Sequence, residues 1–218
     1  MRKFILFGML LLLILMIRSE TKAQETGEKK VETFTELISQ KEFPVKATFA
    51  VNEQEYELTA TGAVYVTRES DQGEKIPMYA IVHYMAPFKP DPFGDIYEQV
   101  IQEKVAKQLN LEFARDMKKE RLLVIINKLF QKAIRNYEID PAKIKGTMDQ
   151  FNAFFARNYS QGETCIFRWL PDGRFIILAQ KQQKVLKSQE FASFFWRIWF
   201  GLMSPVDRGS LVSRIMFY

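Results

Sequence analysis

One cysteine and one histidine occur in 218 residues. With Cys165 alone no disulfide can close within the chain, so the fold has to rest on its hydrophobic core. His83 alone excludes any site built from several histidines, and neither a Cys/His metal spacing nor a Walker or Rossmann glycine pattern is present. The chain also lacks a long basic stripe: Lys and Arg are interspersed with Asp and Glu, so the electrostatic footprint of a nucleic-acid binder is missing. Cys165 sits among Ile166, Phe167 and Trp169, a strand-like setting with no neighbouring cation to lower its pKa, and reads as a small buried apolar residue rather than a nucleophile. His83 reads as a neutral, hydrogen-bonded histidine of a sheet.

What is present begins with a targeting signal. Arg2 and Lys3 precede an apolar run from Phe4 to Ile17, and Arg18 and a polar stretch lead to the small-x-small site Thr21-Lys22-Ala23. The pattern predicts a secretory signal peptide over residues 1–23 and an exported chain, periplasmic or secreted. A membrane span needs about 20 apolar residues, more than this run offers, so no span is expected once the signal is cleaved; retention as an anchor is the alternative. Cleavage would remove Arg2, Lys3, Arg18 and Lys22 against Glu20, taking the formal charge from +5 to +2. Residues 24–40 are expected to form a polar, flexible leader, and residues 41–218 one domain.

Period-two alternation of Phe43, Val45, Ala47, Phe49 and Val51 predicts a half-buried strand. Asn52-Glu-Gln turns the chain into a strand through Tyr56, Leu58 and Ala60, which Gly62 separates from Ala63 to Thr67. A polar loop, Glu69 to Lys75, leads to Ile76–Met85, where Pro77 suits a strand start or an edge. Ile96, Val100, Ile101 and Val105 then fall at helical spacing as far as Leu109, and Leu109 to Phe113 alternates as a short strand. A helix over Lys118–Tyr137 carries the stripe Leu122, Ile125, Ile126, Leu129, Phe130 and Ala133. Asp140 and Pro141 open a third helix with an aromatic inner face at Phe151, Phe154 and Phe155. Cys165 to Leu178 reads as a hairpin about Pro171-Asp-Gly. Ser188 caps a fourth helix, apolar on nearly every side, that ends at Gly201, and a short last helix passes through Leu211 and Val212. This order predicts an α+β open-faced sandwich, an antiparallel sheet covered on one face by a layer of helices.

Several segments, in order, resemble the chalcone isomerase-like family. Leu111-Glu-Phe-Ala-Arg-Asp-Met is similar to its strand ending in Arg-Asp-Val, and Tyr79-Ala-Ile-Val-His-Tyr to its Val-Tyr strand. Gln161-Gly-Glu, Glu190-Phe-Ala, Ile198-Trp-Phe-Gly and Pro205-Val match its closing segments. The resemblance implies the same sandwich and a small-molecule cleft between sheet and helices. In catalytic members a developing enolate needs a cation and hydrogen-bond donors held against it. The resemblance puts the early arginine of those members on Val64 or Tyr65, a helix tyrosine near Glu120, an asparagine on Asn127 and a late-helix hydroxyl on Ala192, so only Asn127 agrees.

With the cation and a hydroxyl absent from those positions, ring-closing catalysis is not expected, and no catalytic residue, metal or cofactor is assigned. The favoured reading is a non-catalytic protein that binds an apolar or fatty-acid-like molecule, as some relatives of these enzymes do, with Arg68, Tyr79, Tyr65 and Asn127 as candidate polar anchors. An isomerase of the intramolecular lyase type and a scaffold whose Phe and Trp residues simply fill the core are the alternatives.

Overall fold

The structure, a computed structural model, describes residues 31–215; the expected signal peptide lies outside the described residues. Two short strands, β1 (Thr33–Thr35) and β2 (Glu42–Pro44), pair antiparallel. The stretch expected to be a flexible leader up to residue 40 therefore carries a strand, held at its turn by Glu36, whose carboxylate accepts from the backbone N–H of Ser39 at 2.7 Å and from its hydroxyl at 2.6 Å. Pro44 ends β2, so the single strand expected from Phe43 is two: β3 (Lys46–Val51) starts afresh.

Seven strands make the main sheet: β3, β4 (Gln54–Glu69), β5 (Lys75–Met85), β6 (Lys107–Phe113), β7 (Thr164–Trp169), β8 (Arg174–Ala179) and β9 (Gln182–Lys187). Their order across the sheet is their order in the chain, and each neighbouring pair is antiparallel. Helix α1 (Ile96–Gln102) joins β5 to β6. Helices α2 (Lys119–Asn136) and α3 (Pro141–Phe155) lie between β6 and β7, and α4 (Gln189–Phe200) and α5 (Arg208–Val212) follow β9. Asp140 caps α3 and Ser188 caps α4, each side chain accepting from a backbone N–H of the first turn.

Alternation along the strands sorts their side chains into two layers. Ile81, Leu109, Phe167 and Phe175 turn toward the helices and form one core with Phe130, Phe151, Phe191 and Trp196. Ala80, Val82, Tyr84 and Ile176 face the other way and pack with Phe43 and Leu58, partly under the β1–β2 ribbon. The α+β sandwich expected from the element order is the fold observed.

Two boundaries differ from the sequence pattern. Helix α1 stops at Gln102, well short of Leu109, because Lys107 and Gln108 already pair with β5 on one side and β7 on the other; two ladders outweigh a helical period. Gly62 does not divide two strands. It sits inside the continuous β4 at a bulge beside Ala60, where a Cβ would fall 2.0 Å from the Ser210 carbonyl oxygen of α5. Glycine there lets α5 lie directly on the strand.

Candidate functional site

Between the helix-side face of β5, β6 and β7 and the helices α2, α3 and α4 lies a cavity of about 70 Å³. The sheet supplies Tyr79, Phe113 and Cys165; the helices supply Leu122, Phe130 and Trp199, among others. A bulge shapes its floor. Val66 pairs with Tyr79 and Thr67 with Pro77, leaving Met78 as the extra residue of β5, and both Met78 and Tyr79 reach the cavity wall. Helix α2 covers the outside with the stripe predicted from its sequence, Leu122, Ile125, Ile126, Leu129 and Phe130.

The lining contains no charged side chain. Its polar atoms are few. Burial pushes the Tyr79 phenol up to about 12 and the Cys165 thiol up to about 12, so both keep their protons at neutral pH. The Trp199 indole N–H is buried and, among the described residues, has no hydrogen-bond acceptor. Its ring meets that of Tyr79 edge-on, centroids 6.5 Å apart and planes at 82°. The Tyr159 hydroxyl, packed behind the wall against Phe113 and Phe155, is likewise buried without a partner.

Of the four anchors suggested by the sequence, only Tyr79 stands at this cavity. Tyr65 lies directly opposite Ala80 and so shares its face, on the far side of the sheet from the helices. Strand parity decides this: Val64, its neighbour, takes the helix side opposite Ile81. Arg68 is exposed near the end of β4, opposite Ile76. Asn127 is exposed on α2, and its side-chain oxygen accepts from the Asn152 amide at 3.0 Å. Trp199, which the sequence offers as core filling or apolar lining but not as a donor, is the polar group missed; a tryptophan in a helix apolar on nearly every side is the available signal, since its N–H needs a partner somewhere.

A second polar cluster lies within the core beside α4. His83 is fully buried; the Trp196 indole N–H donates to its Nε2 at 3.1 Å, so its proton sits on Nδ1, 2.6 Å from the Thr61 hydroxyl. Thr61 in turn donates to the Leu211 carbonyl at 2.7 Å. Burial, with the Lys107 charge nearby, holds His83 well below the usual histidine range, so it stays neutral. The sequence reading of His83 as a neutral, bonded histidine therefore holds. This chain of bonds ties α4, β5, β4 and α5 together, apart from the cavity lining; its role is structural.

Among the described residues no group of three or more His, Cys, Asp or Glu is placed to hold a metal ion, and no helix is long and apolar enough to cross a membrane. A curled antiparallel sheet with helices over an apolar cavity defines the class, an α+β open-faced sandwich. The chain belongs to the chalcone isomerase-like family, whose model matches residues 43–211. A solved structure with the same fold is a fatty-acid binding protein of Arabidopsis thaliana. It superposes with a TM-score of 0.66 at 9% identity, over 83% of this chain and 96% of that one. No curated protein matches the chain in sequence.

Proposed function

We propose that the protein is a non-catalytic binder of an apolar, fatty-acid-like molecule held between sheet and helices, and that it acts outside the cytoplasm after export. The observation that carries the binding reading is the cavity beneath α2, walled by apolar and aromatic side chains and free of charged groups. The fatty-acid binding protein of the same fold lends support. Ring-closing catalysis fits poorly, because it would need a cation where negative charge develops, and neither Val64, which faces the helix layer, nor Tyr65, the two positions the family resemblance offers for arginine, carries charge. Export rests on Arg2, Lys3, the run Phe4 to Ile17 and Thr21-Lys22-Ala23.

At about 70 Å³ the cavity is smaller than a ligand of any length requires, since small-molecule pockets measure roughly 300–1,000 Å³. The sheet wall is fixed by ladders on both sides. The wall that can yield is α2, which packs on other helices rather than within a ladder; at its first turn the Lys119 N–H donates to Asn158 Oδ1 at 2.9 Å. Binding thus requires α2 to move outward. The small volume also favours a second reading, a scaffold with a filled core. Mass spectrometry of organic extracts from the purified chain separates the two: a co-purifying lipid at near-stoichiometric amount is expected. No extracted lipid, together with no binding of a fluorescent acyl probe, would leave the scaffold.

A further inference from the structure

The cavity has a defined polar character as well as an apolar one. Among the described residues, Trp199 Nε1 is a buried donor with no acceptor, and Trp199 is only 5% exposed. An indole N–H can donate and never accept. Leaving such a group unpaired in the interior costs about 1–3 kcal/mol, and native proteins seldom tolerate it without a reason. Its neighbour on the cavity wall is Tyr79, whose hydroxyl keeps its proton far above neutral pH. The wall therefore includes two donor-bearing side chains whose rings touch, Trp199 and Tyr79, and no Lys, Arg or His.

An ionised carboxylate placed here would be stripped of water with no cation to compensate, a penalty of several kcal/mol. A carbonyl or ester oxygen loses much less on leaving water and would accept both hydrogen bonds. We propose that the cavity selects an uncharged lipid whose polar group is a hydrogen-bond acceptor, the carbonyl of an ester, ketone or aldehyde, held by Trp199 Nε1–H and the Tyr79 hydroxyl, in preference to an ionised fatty acid. This rests on the binding reading above and narrows it: the present volume suits the polar end, and the tail occupies the space opened when α2 swings away.

Three probes of equal chain length test it on the full chain at pH 8: methyl palmitate, palmitate and hexadecane, delivered from cyclodextrin and followed by tryptophan fluorescence and equilibrium partition. Methyl palmitate should bind about tenfold or more tighter than either of the others, one hydrogen bond in a dry site being worth that factor. Trp199→Phe should cost the ester about tenfold more than it costs hexadecane, while Tyr79→Phe, with the indole intact, should show a smaller difference. Circular dichroism and thermal melting confirm that each variant folds. Palmitate binding as tightly as the ester, or an ester affinity that neither substitution alters, overturns the headgroup assignment while leaving the binding function in place. Failure of all three probes to bind the folded chain overturns the binding function itself.

Discussion

Lys107 and Trp169 stand opposite each other across the β6–β7 ladder, with the lysine Nζ 4.1 Å from the indole ring centroid. The same amine donates to the Ile101 carbonyl at 3.0 Å, one of the carbonyls left without a partner in the last turn of α1. Lys107 is fully buried. The cation–π contact and the carbonyl are what the site gives a charge in exchange for its water, and they fall short: burial lowers its pKa to about 7, against a smaller raising effect from Glu103.

That deficit predicts a pH dependence. The unfolded chain keeps the lysine proton up to about pH 10.4, whereas the folded chain sheds it near 7. Between those values the unfolded state binds more protons, so stability rises with pH. Urea unfolding should show a gain on the order of 2 kcal/mol from pH 7 to about pH 8.5; above that the unfolded-state ionisation of Cys165, whose folded thiol is pushed up to about 12, pulls stability the other way. Lys107→Met, which keeps the length without the charge, should flatten the profile.

His83 predicts the opposite flank. Its folded pKa lies well below the unfolded value of about 6.5, so its neutral form contributes full stability above pH 6.5 and that contribution is lost as the pH falls. Nitrogen-15 spectra should show a single tautomer, protonated on Nδ1, that persists at pH 5. His83→Phe should remove the decline between pH 6.5 and 5, while costing about 1–3 kcal/mol through the stranded Trp196 N–H.

Gly62→Ala would set a methyl group 2.0 Å from the Ser210 carbonyl. Backbone cannot yield there without lifting α5 from β4, and the Thr61 to Leu211 bond goes with it. A loss of about 3 kcal/mol or more is expected, read as a lower melting temperature. Gly146→Ala, in α3 with open space around its Cβ, should instead gain up to about 1 kcal/mol.

Cys165 is fully buried, and burial pushes its thiol up to about 12. A disulfide reagent at pH 8 should leave it unmodified in the folded chain and react at once in urea. Rapid labelling of the native protein would mean that α2 already opens often enough to admit reagents to the cavity.

The strands are legible because their side chains alternate between the bulges: Tyr79, Ile81 and His83 face the helices, as period two requires. Helix starts are legible at the caps Asp140 and Ser188, while the Asp95 and Asp207 caps are not singled out by the pattern. The anchors were harder. Tyr65 and Val64 differ by one residue and therefore by a whole face, and nothing local says which face the helices cover. Asn127 lies on the outer side of an amphipathic helix, a position that spacing alone does not separate from its rim. Helical spacing runs through Lys107 because a charged residue beside Val105 and Leu109 gives no hint that two ladders claim it. The Trp199 donor becomes visible only when its surroundings prove to hold no acceptor.

The agreement between chain order and sheet order also bears on biosynthesis. Each strand emerging from the ribosome meets an edge made just before it, so the sheet can grow one ladder at a time. The residues that seal His83 and dock on Gly62 come last, in α4 and α5. Until they arrive, the part of the sheet around His83 and Gly62 stays uncovered, so a chain still lacking α4 and α5 exposes hydrophobic core and is a natural client for chaperones.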